Sequence, residues 1–358
     1  MQLRGINYDT GFGGAVGDRS RVDFDPDVVR RELEIIATDL HCDAVRISGD
    51  DPDRIALAAH AAVDAGLRVW FAPFPVDLTP ARLPAYFQDC AARAEEIRTR
   101  DPETVLVLGC EMSLFCAGFV PGAYLMERLQ NAMDPQAWSG FSPAADFTEV
   151  LRGVAEVARA RFGGKITYAS GEWEDIDWSH FDFAAVDLYR SADNAADFAE
   201  RVRAYRAHGK PLVITEFGCC AYRGAAEAGG MGWAIVDYAA TPRVLNGEYV
   251  RDESVQVAYF HELMDVFEAE EVHGAFWFTF AGYETRYDPD PRRDLDMAGY
   301  GTVKVLKEHE GGRYPDMAWE PKEVFDAIAT RYGARPASPP DGAAGAGGRP
   351  GRASVPQR

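Results

Sequence analysis

The feature that most constrains this chain is a two-part unit, a short apolar run followed by a helical stripe, which recurs eight times along the sequence. The runs fall at 3–8, 44–48, 68–74, 105–110, 165–169, 183–188, 211–214 and 274–280. Between them the apolar residues change period. Val29, Leu33, Ile36 and Leu40 repeat at helical spacing, as do Leu83, Phe87, Cys90, Ala94 and Ile97, and later Val257, Phe260, Met264 and Phe267. Runs too short for helices that alternate with helical stripes describe strands that each lead into a helix. Eight such units predict an α/β fold, a (β/α)8 TIM barrel, with a doubly wound open sheet as the alternative. The glycine-rich segment 11–14, GFGG, lacks the spacing of a phosphate loop and reads as a turn.

Loop lengths mark one end of that barrel. Helix-to-strand connections are short, whereas the strand-to-helix connections at 111–145, 216–252 and 281–320, after strands four, seven and eight, are long. In a barrel all of these lie at the C-terminal face, where barrel enzymes carry their active sites. The barrel is expected to span 1–333, and the Ala, Gly, Pro and Arg-rich segment 334–358 to be a disordered tail.

Charge and cysteine usage bound the partners. Lys and Arg number 37 against 57 Asp and Glu, a formal charge of −20, which argues against nucleic acid and against an anionic membrane surface. No run approaches the ~18 apolar residues of a membrane span, and the first residues lack a signal core, so a cytoplasmic protein is expected. Cys42, Cys90, Cys110, Cys116, Cys219 and Cys220 form no C-x-x-C pair and read as free thiols. His60, His261 and His273 lie in helices or before strand eight, so neither a metal nor a cofactor is expected.

Chemistry is expected where a carboxylate meets a strand end. The run 211–214 is continuous, as in a strand buried on both faces, and such a strand has no cheap place for the Glu216 just beyond it. Glu111 stands at the equivalent place after strand four. Strands four and seven face each other across a barrel mouth, so both carboxylates point at one ligand. Glycoside hydrolysis needs such a pair, one to protonate the leaving oxygen and one to attack the anomeric carbon or activate water.

On these residues the chain resembles the clan A retaining glycoside hydrolases, barrels with an acid/base Glu after strand four and a nucleophile Glu after strand seven. The resemblance rests on Thr215, Glu216, Phe217 and Gly218, a TEFG sequence like that around the nucleophile in those families. It implies that Glu216 is the nucleophile and Glu111 the acid/base. It further implies that Arg46 in VRIS hydrogen-bonds the nucleophile, that Tyr189 stands near it, and that Trp277 floors the sugar subsite. Two positions depart from the pattern: Cys110 occupies the place of an Asn that contacts the sugar 2-hydroxyl, and Pro73, Phe74 and Tyr189 stand where histidines are common. Over the whole chain, TEFGCC and the DLDMAGYG run at 294–301 are similar to high-GC bacterial proteins labelled abortive infection proteins.

Trp173 and Trp178 after strand five, and Tyr283 and Tyr287 after strand eight, are placed to stack on sugar faces. Glu172, Asp187 and Asp9 are candidates to bind hydroxyls or a cation. Cys219 and Cys220 read as small buried thiols lining a turn, and 288–297 as a lid segment fixed by Arg–Asp pairs. The function these readings imply is a retaining glycosidase or transglycosidase acting on a small neutral or cationic glycoside. The alternative, motivated by Cys110, is a barrel that no longer hydrolyses glycosides and serves as a binding or phage-defence module, or acts on a non-sugar metabolite.

Overall fold

Two of the barrel helices begin at an Asp-Pro pair, and the pair accounts for both starts. Asp25 and Asp51 sit in extended backbone with side chains accepting from Asp27 N and from Asp53 N and Arg54 N, while Pro26 and Pro52 open helices α1 (Pro26–Thr38) and α2 (Pro52–Asp64). The Asp caps satisfy amides that the first turn leaves orphaned, contributing ~1 kcal/mol each, and Pro at the first helical position has no such amide to lose. Asp146 caps helix α4 (Phe147–Arg159) through Glu149 N in the same way.

The computed structural model describes residues 1–13, 19–307 and 312–334. Eight parallel strands close into a barrel: β1 (Leu3–Asp9), β2 (Ala44–Gly49), β3 (Arg68–Pro73), β4 (Val105–Cys110), β5 (Lys165–Gly171), β6 (Ala184–Asp187), β7 (Leu212–Phe217) and β8 (Gly274–Trp277). Strand β1 closes the ring on β8, with Ile6 opposite Trp277. The remaining long helices are α3 (Leu83–Arg98), α5 (Phe198–Ala204), α6 (Ser254–Ala269) and α7 (Glu323–Gly333). The expected (β/α)8 barrel is thus the fold. Gly14 of the expected turn at 11–14, and all of the expected tail at 334–358 but Ala334, lie outside the described residues.

Strand alternation sorts the core into two layers. Val45, Val69, Leu106, Ile166, Ile214 and Phe260 belong to the shell between barrel and helices. Leu3, Ala44, Trp70, Val107, Ala185, Val213 and Phe276 fill the barrel interior. Trp70 packs against Phe276 at 5.0 Å and Phe183 at 5.3 Å, an aromatic plug across the axis. The interior is therefore closed below, and the polar residues it contains belong to the layers above.

Three features differ from the sequence-based expectation. The β5–β6 connection carries a single 3₁₀ turn, Trp178–His180, in place of a helix. Strand β8 ends at Trp277 rather than at 280, because the chain leaves the ladder: Thr279 N bonds Tyr300 O and Phe280 N bonds Asn7 O. The long loops also have structure of their own, with helical turns at Met112–Phe115 and Leu125–Asn131 and an antiparallel ladder of Val303–Val305 with Trp319–Pro321.

Beside β1, the fully buried Glu32 of α1 fastens the loop after β8. It accepts from Tyr8 at 2.6 Å, Arg21 at 2.9 Å and Trp319 at 3.0 Å, and also from Tyr283. Burying one carboxylate among four donors, one of them charged, offsets its desolvation.

Candidate active site

Parity explains how Glu216 reaches the barrel interior. Val213 faces inward and Ile214 outward. Strict alternation would then turn position 216 outward and 217 inward. The ladder is not strict. Between β6 and β7 the register passes from Val186↔Ile214 to Asp187↔Glu216, and between β8 and β7 from Ala275↔Ile214 to Trp277↔Phe217. Strand β7 therefore holds one extra residue against both neighbours, a bulge that re-aims the residues beyond it. Phe217 turns out into the shell and Glu216 comes in.

Strand β4 does the same. Its register against β5 passes from Val107↔Thr167 to Cys110↔Ala169, so Val107 and Cys110, three apart, both face the interior. Gly109 sits at φ +92°, and a Cβ there would lie 2.5 Å from Met112 Sδ. Glu111 comes next, in the left-handed region at φ 44°, ψ 39°, tied to β5 by its own N–H on Ala169 O at 3.0 Å. Such a conformation costs a non-glycine residue on the order of 1 kcal/mol or more, and residues held this way concentrate at functional sites. Next to it, Glu174 accepts from Ser113 N and from Tyr168, whose hydroxyl oxygen takes the N–H of Met112 at 2.7 Å. These bonds hold the turn that presents Glu111.

Around Glu216 residues of four other strands converge. Arg46 of β2 donates Nη1 to Glu216 Oε1 at 2.7 Å and to Asn7 Oδ1 at 2.7 Å. Asn7 of β1 is itself fixed, its amide donating to Thr215 O at 2.9 Å. Tyr189, just past β6, donates its hydroxyl to Glu216 Oε2 at 3.0 Å. Cys110 Sγ donates to Asp187 Oδ2 at 3.1 Å and stands 3.7 Å from Glu216 Oε1. Glu216 thus has a donor on each of its carboxylate oxygens.

Burial, and then neighbouring acids, raise two carboxyls of this ring. Burial first, and then the charges of Asp187, Glu216 and Glu174, hold the Glu111 carboxyl well above the usual range against the opposing Arg46. Asp187 is raised to about 8, chiefly by burial and by Glu216. Burial and the same two acids also hold the Cys110 thiol up. The site therefore sets a carboxyl pushed upward, Glu111, beside one bonded by Arg46 and Tyr189, Glu216.

Arg46, Cys110, Tyr189 and Glu216 are thus brought together by the barrel, with Glu111 beside them. Trp277 is not at the site, a correction to the expected sugar floor. Its ring is fully buried on the outer face of β8, 5.4 Å from Phe217 and 5.9 Å from Phe260, and its Nε1 donates to Tyr300 O. The neighbouring Phe278 is the half-buried ring, edge-on to Tyr300, which in turn packs against Tyr189. Tyr283 is corrected too, since its hydroxyl is engaged by Glu32 and its ring lies under Arg21 at 4.2 Å. Trp173, 59 % exposed, stands at the rim with Nε1 on Ser113 Oγ. Trp178 is buried against Phe181, and Tyr287 sits between Arg251 and Lys304. Arg251 also clamps the 288–297 segment through Asp294 and Asp296. All six cysteines are free and buried, Cys219 and Cys220 included.

Two site residues are hidden in the sequence in different ways. Asn7 gives no signal beyond its place in the first strand. Asp187 is one of three strand-end acids, and only the closed ring, which sets β6 beside β7, distinguishes it from Glu172 and Asp9. Glu172 pairs with Arg201 and Asp9 accepts from Gly11 N.

At the C-terminal end of this closed parallel barrel, bulges in β4 and β7 thus present two carboxylates. Solved structures with this fold include a GH113 β-1,4-mannanase, at 14 % identity over 94 % of this chain and 100 % of that chain with a TM-score of 0.58. A GH113 β-mannanase from Alicyclobacillus acidocaldarius is similar at 16 % identity, over 93 % of this chain and 97 % of that chain, TM-score 0.54. A β-glucosidase matches at 14 % identity, over 93 % and 98 %, TM-score 0.55. At such identities the likeness is one of fold. No protein-family model matches the sequence, and no curated protein matches it. No helix among the described residues is long and apolar enough to cross a membrane.

Proposed function

We propose that this chain is a retaining glycoside hydrolase or transglycosidase acting on a small neutral or cationic glycoside, without a cofactor. Glu216 attacks the anomeric carbon while Glu111 gives its proton to the leaving oxygen. Glu111 then takes a proton from water or from an acceptor hydroxyl, which opens the glycosyl ester. The observation that carries this reading is the difference between the two carboxyls: Glu216 is bonded by Arg46 and Tyr189, while burial and neighbouring acids push Glu111 well above the usual range. An acid in this mechanism needs a raised carboxyl, and a nucleophile needs positioned donors.

A second reading rests on Cys110, whose thiol stands 3.7 Å from Glu216 Oε1: a glycosidase-like barrel that no longer hydrolyses glycosides and serves as a binding or phage-defence module, or acts on a non-sugar metabolite.

Incubation with a panel of activated 2-deoxy-2-fluoro glycosides, combined with intact mass and peptide mapping, separates the two. A glycosyl adduct on Glu216 is expected. A folded protein that takes no label across the panel leaves the second reading standing and the first refuted.

A further inference from the structure

We propose that Trp173 is the platform on which the leaving group of the substrate lies, and that this group is a ring with an apolar face, an aryl group or a second sugar. The inference rests on the glycosidase reading, in which Glu111 gives its proton to the leaving oxygen. Whatever stands outside Glu111 then flanks the leaving group. Tyr124, Trp138 and Trp173 are the exposed large aromatic side chains among the described residues. Trp138 is bonded back onto its own loop, with Nε1 on Ala132 O at 3.3 Å. Trp173 is the one that hydrogen-bonds the turn carrying the acid, with Nε1 on Ser113 Oγ at 3.2 Å.

A glycine aims the ring. A Cβ on Gly171 would lie 2.6 Å from Cη2 and Cζ2 of Trp173 and 2.7 Å from Cζ3. Near-equal distances to three successive ring atoms put that point over the face of the ring, not at its edge. The indole therefore lies flat on the backbone at the end of β5. One face is covered there, so the 59 % exposure of the residue belongs chiefly to the other.

What lies under the ring is tied to the acid. Glu174 accepts from Gly171 N at 3.0 Å, from Ser113 N at 3.1 Å and from Tyr168 at 2.9 Å, and the Tyr168 hydroxyl oxygen takes Met112 N at 2.7 Å. The seat of the indole and the turn that presents Glu111 are thus one hydrogen-bonded body. An indole anchored at its nitrogen and covered on one face has lost its rotamer freedom before a ligand arrives, so stacking on the open face costs little further entropy. Such a face takes an aryl ring or the C–H face of a sugar alike, whereas a small leaving group covers too little of it to gain much.

The test compares labelling of Glu216 in the full-length protein by 2-deoxy-2-fluoro glycosides that differ only in the leaving group, 2,4-dinitrophenolate or fluoride. In Trp173→Ala the ratio of the two labelling rate constants, aryl over fluoride, is expected to fall by more than about tenfold, and more in the saturation constant than in the maximal rate. Gly171→Ala, which keeps the indole but lifts it from its seat, is expected to lower the same ratio. Trp173→Phe should lower it less than Trp173→Ala, and Trp138→Ala should leave it unchanged. Cleavage of a disaccharide against the methyl glycoside of the labelling sugar then separates the two kinds of ring: a Trp173→Ala loss on the aryl probe alone assigns an aryl leaving group, and a loss on the disaccharide as well assigns a sugar. A ratio that Trp173→Ala does not move, or that Trp138→Ala moves as far, with both probes labelling Glu216, overturns the platform and leaves the glycosidase reading intact. No labelling by either probe refutes that reading and the leaving-group role with it.

Discussion

Arg46 and Glu216 meet at 2.7 Å from strands three places apart in the barrel ring, and the arginine side chain is 1 % exposed. One nitrogen of Arg46 serves both Glu216 and Asn7, so the pair fixes the nucleophile candidate and the end of β1 together. Removing the cation leaves Glu216 and its acidic neighbours without a counter-charge.

Arg46→Met is therefore expected to lower stability by ~3–5 kcal/mol, the usual cost of leaving half of a buried pair. Arg46→Lys, which keeps the charge but loses the planar fork, is expected to fold with a smaller loss and a larger fall in kcat than in KM. Urea unfolding and steady-state kinetics of the two variants check this. Equal stability of Arg46→Met and the wild type would contradict it.

Glu111→Gln separates acid from nucleophile. Hydrolysis of glycosides with poor leaving groups is expected to fall by ~10²–10⁴-fold, while an activated fluoro glycoside still labels Glu216. In the wild type, rates on poor leaving groups are expected to hold as pH rises past the ordinary carboxylate range and to fall only where the raised Glu111 proton is lost. The variant should lack that alkaline limb. A pH–rate profile of both proteins decides it.

How much of the fold and the site is legible in the sequence depends on parity. The eight strands, the closed ring and the long loops at one end come from apolar runs and spacing, which is why the barrel can be read. The site lies where spacing breaks. Val213 and Glu216 are an odd number apart, as are Val107 and Cys110, and no run of residues announces that a bulge will bring each pair to one face. The same limit misplaces the aromatic of strand eight by one residue, Trp277 facing the helices and Phe278 the Tyr300–Tyr189 side. Asn7 and Asp187 become site residues only once β1 and β6 are set next to β8 and β7.

Asp187 predicts a dependence of stability on pH. Its carboxyl rises from an ordinary 3.8 to about 8 on folding, so between these values the folded chain binds a proton that the unfolded chain has lost. Stability from this group is full below the unfolded pKa and drains away as pH climbs through the folded one, in total on the order of a few kcal/mol. Asp187→Asn is expected to flatten that decline. Melting temperatures of both proteins across this range would show parallel slopes if Asp187 were ionised throughout.

Gly109 tests whether the backbone of β4, rather than any side chain, aims the acid. Alanine there would have to hold φ +92° and place its methyl 2.5 Å from Met112 Sδ. Strain of this kind costs ~1–3 kcal/mol, and the chain can relieve it only by turning the segment that carries Cys110 and Glu111. Gly109→Ala is expected to lower kcat/KM on poor leaving groups by more than tenfold while labelling of Glu216 by an activated fluoro glycoside falls less. Adding Met112→Ala removes the contact but not the torsion, so the double variant should recover some stability and little activity. Full recovery of hydrolysis in the double variant would mean that crowding at Met112, and not the left-handed backbone of β4, sets the position of Glu111.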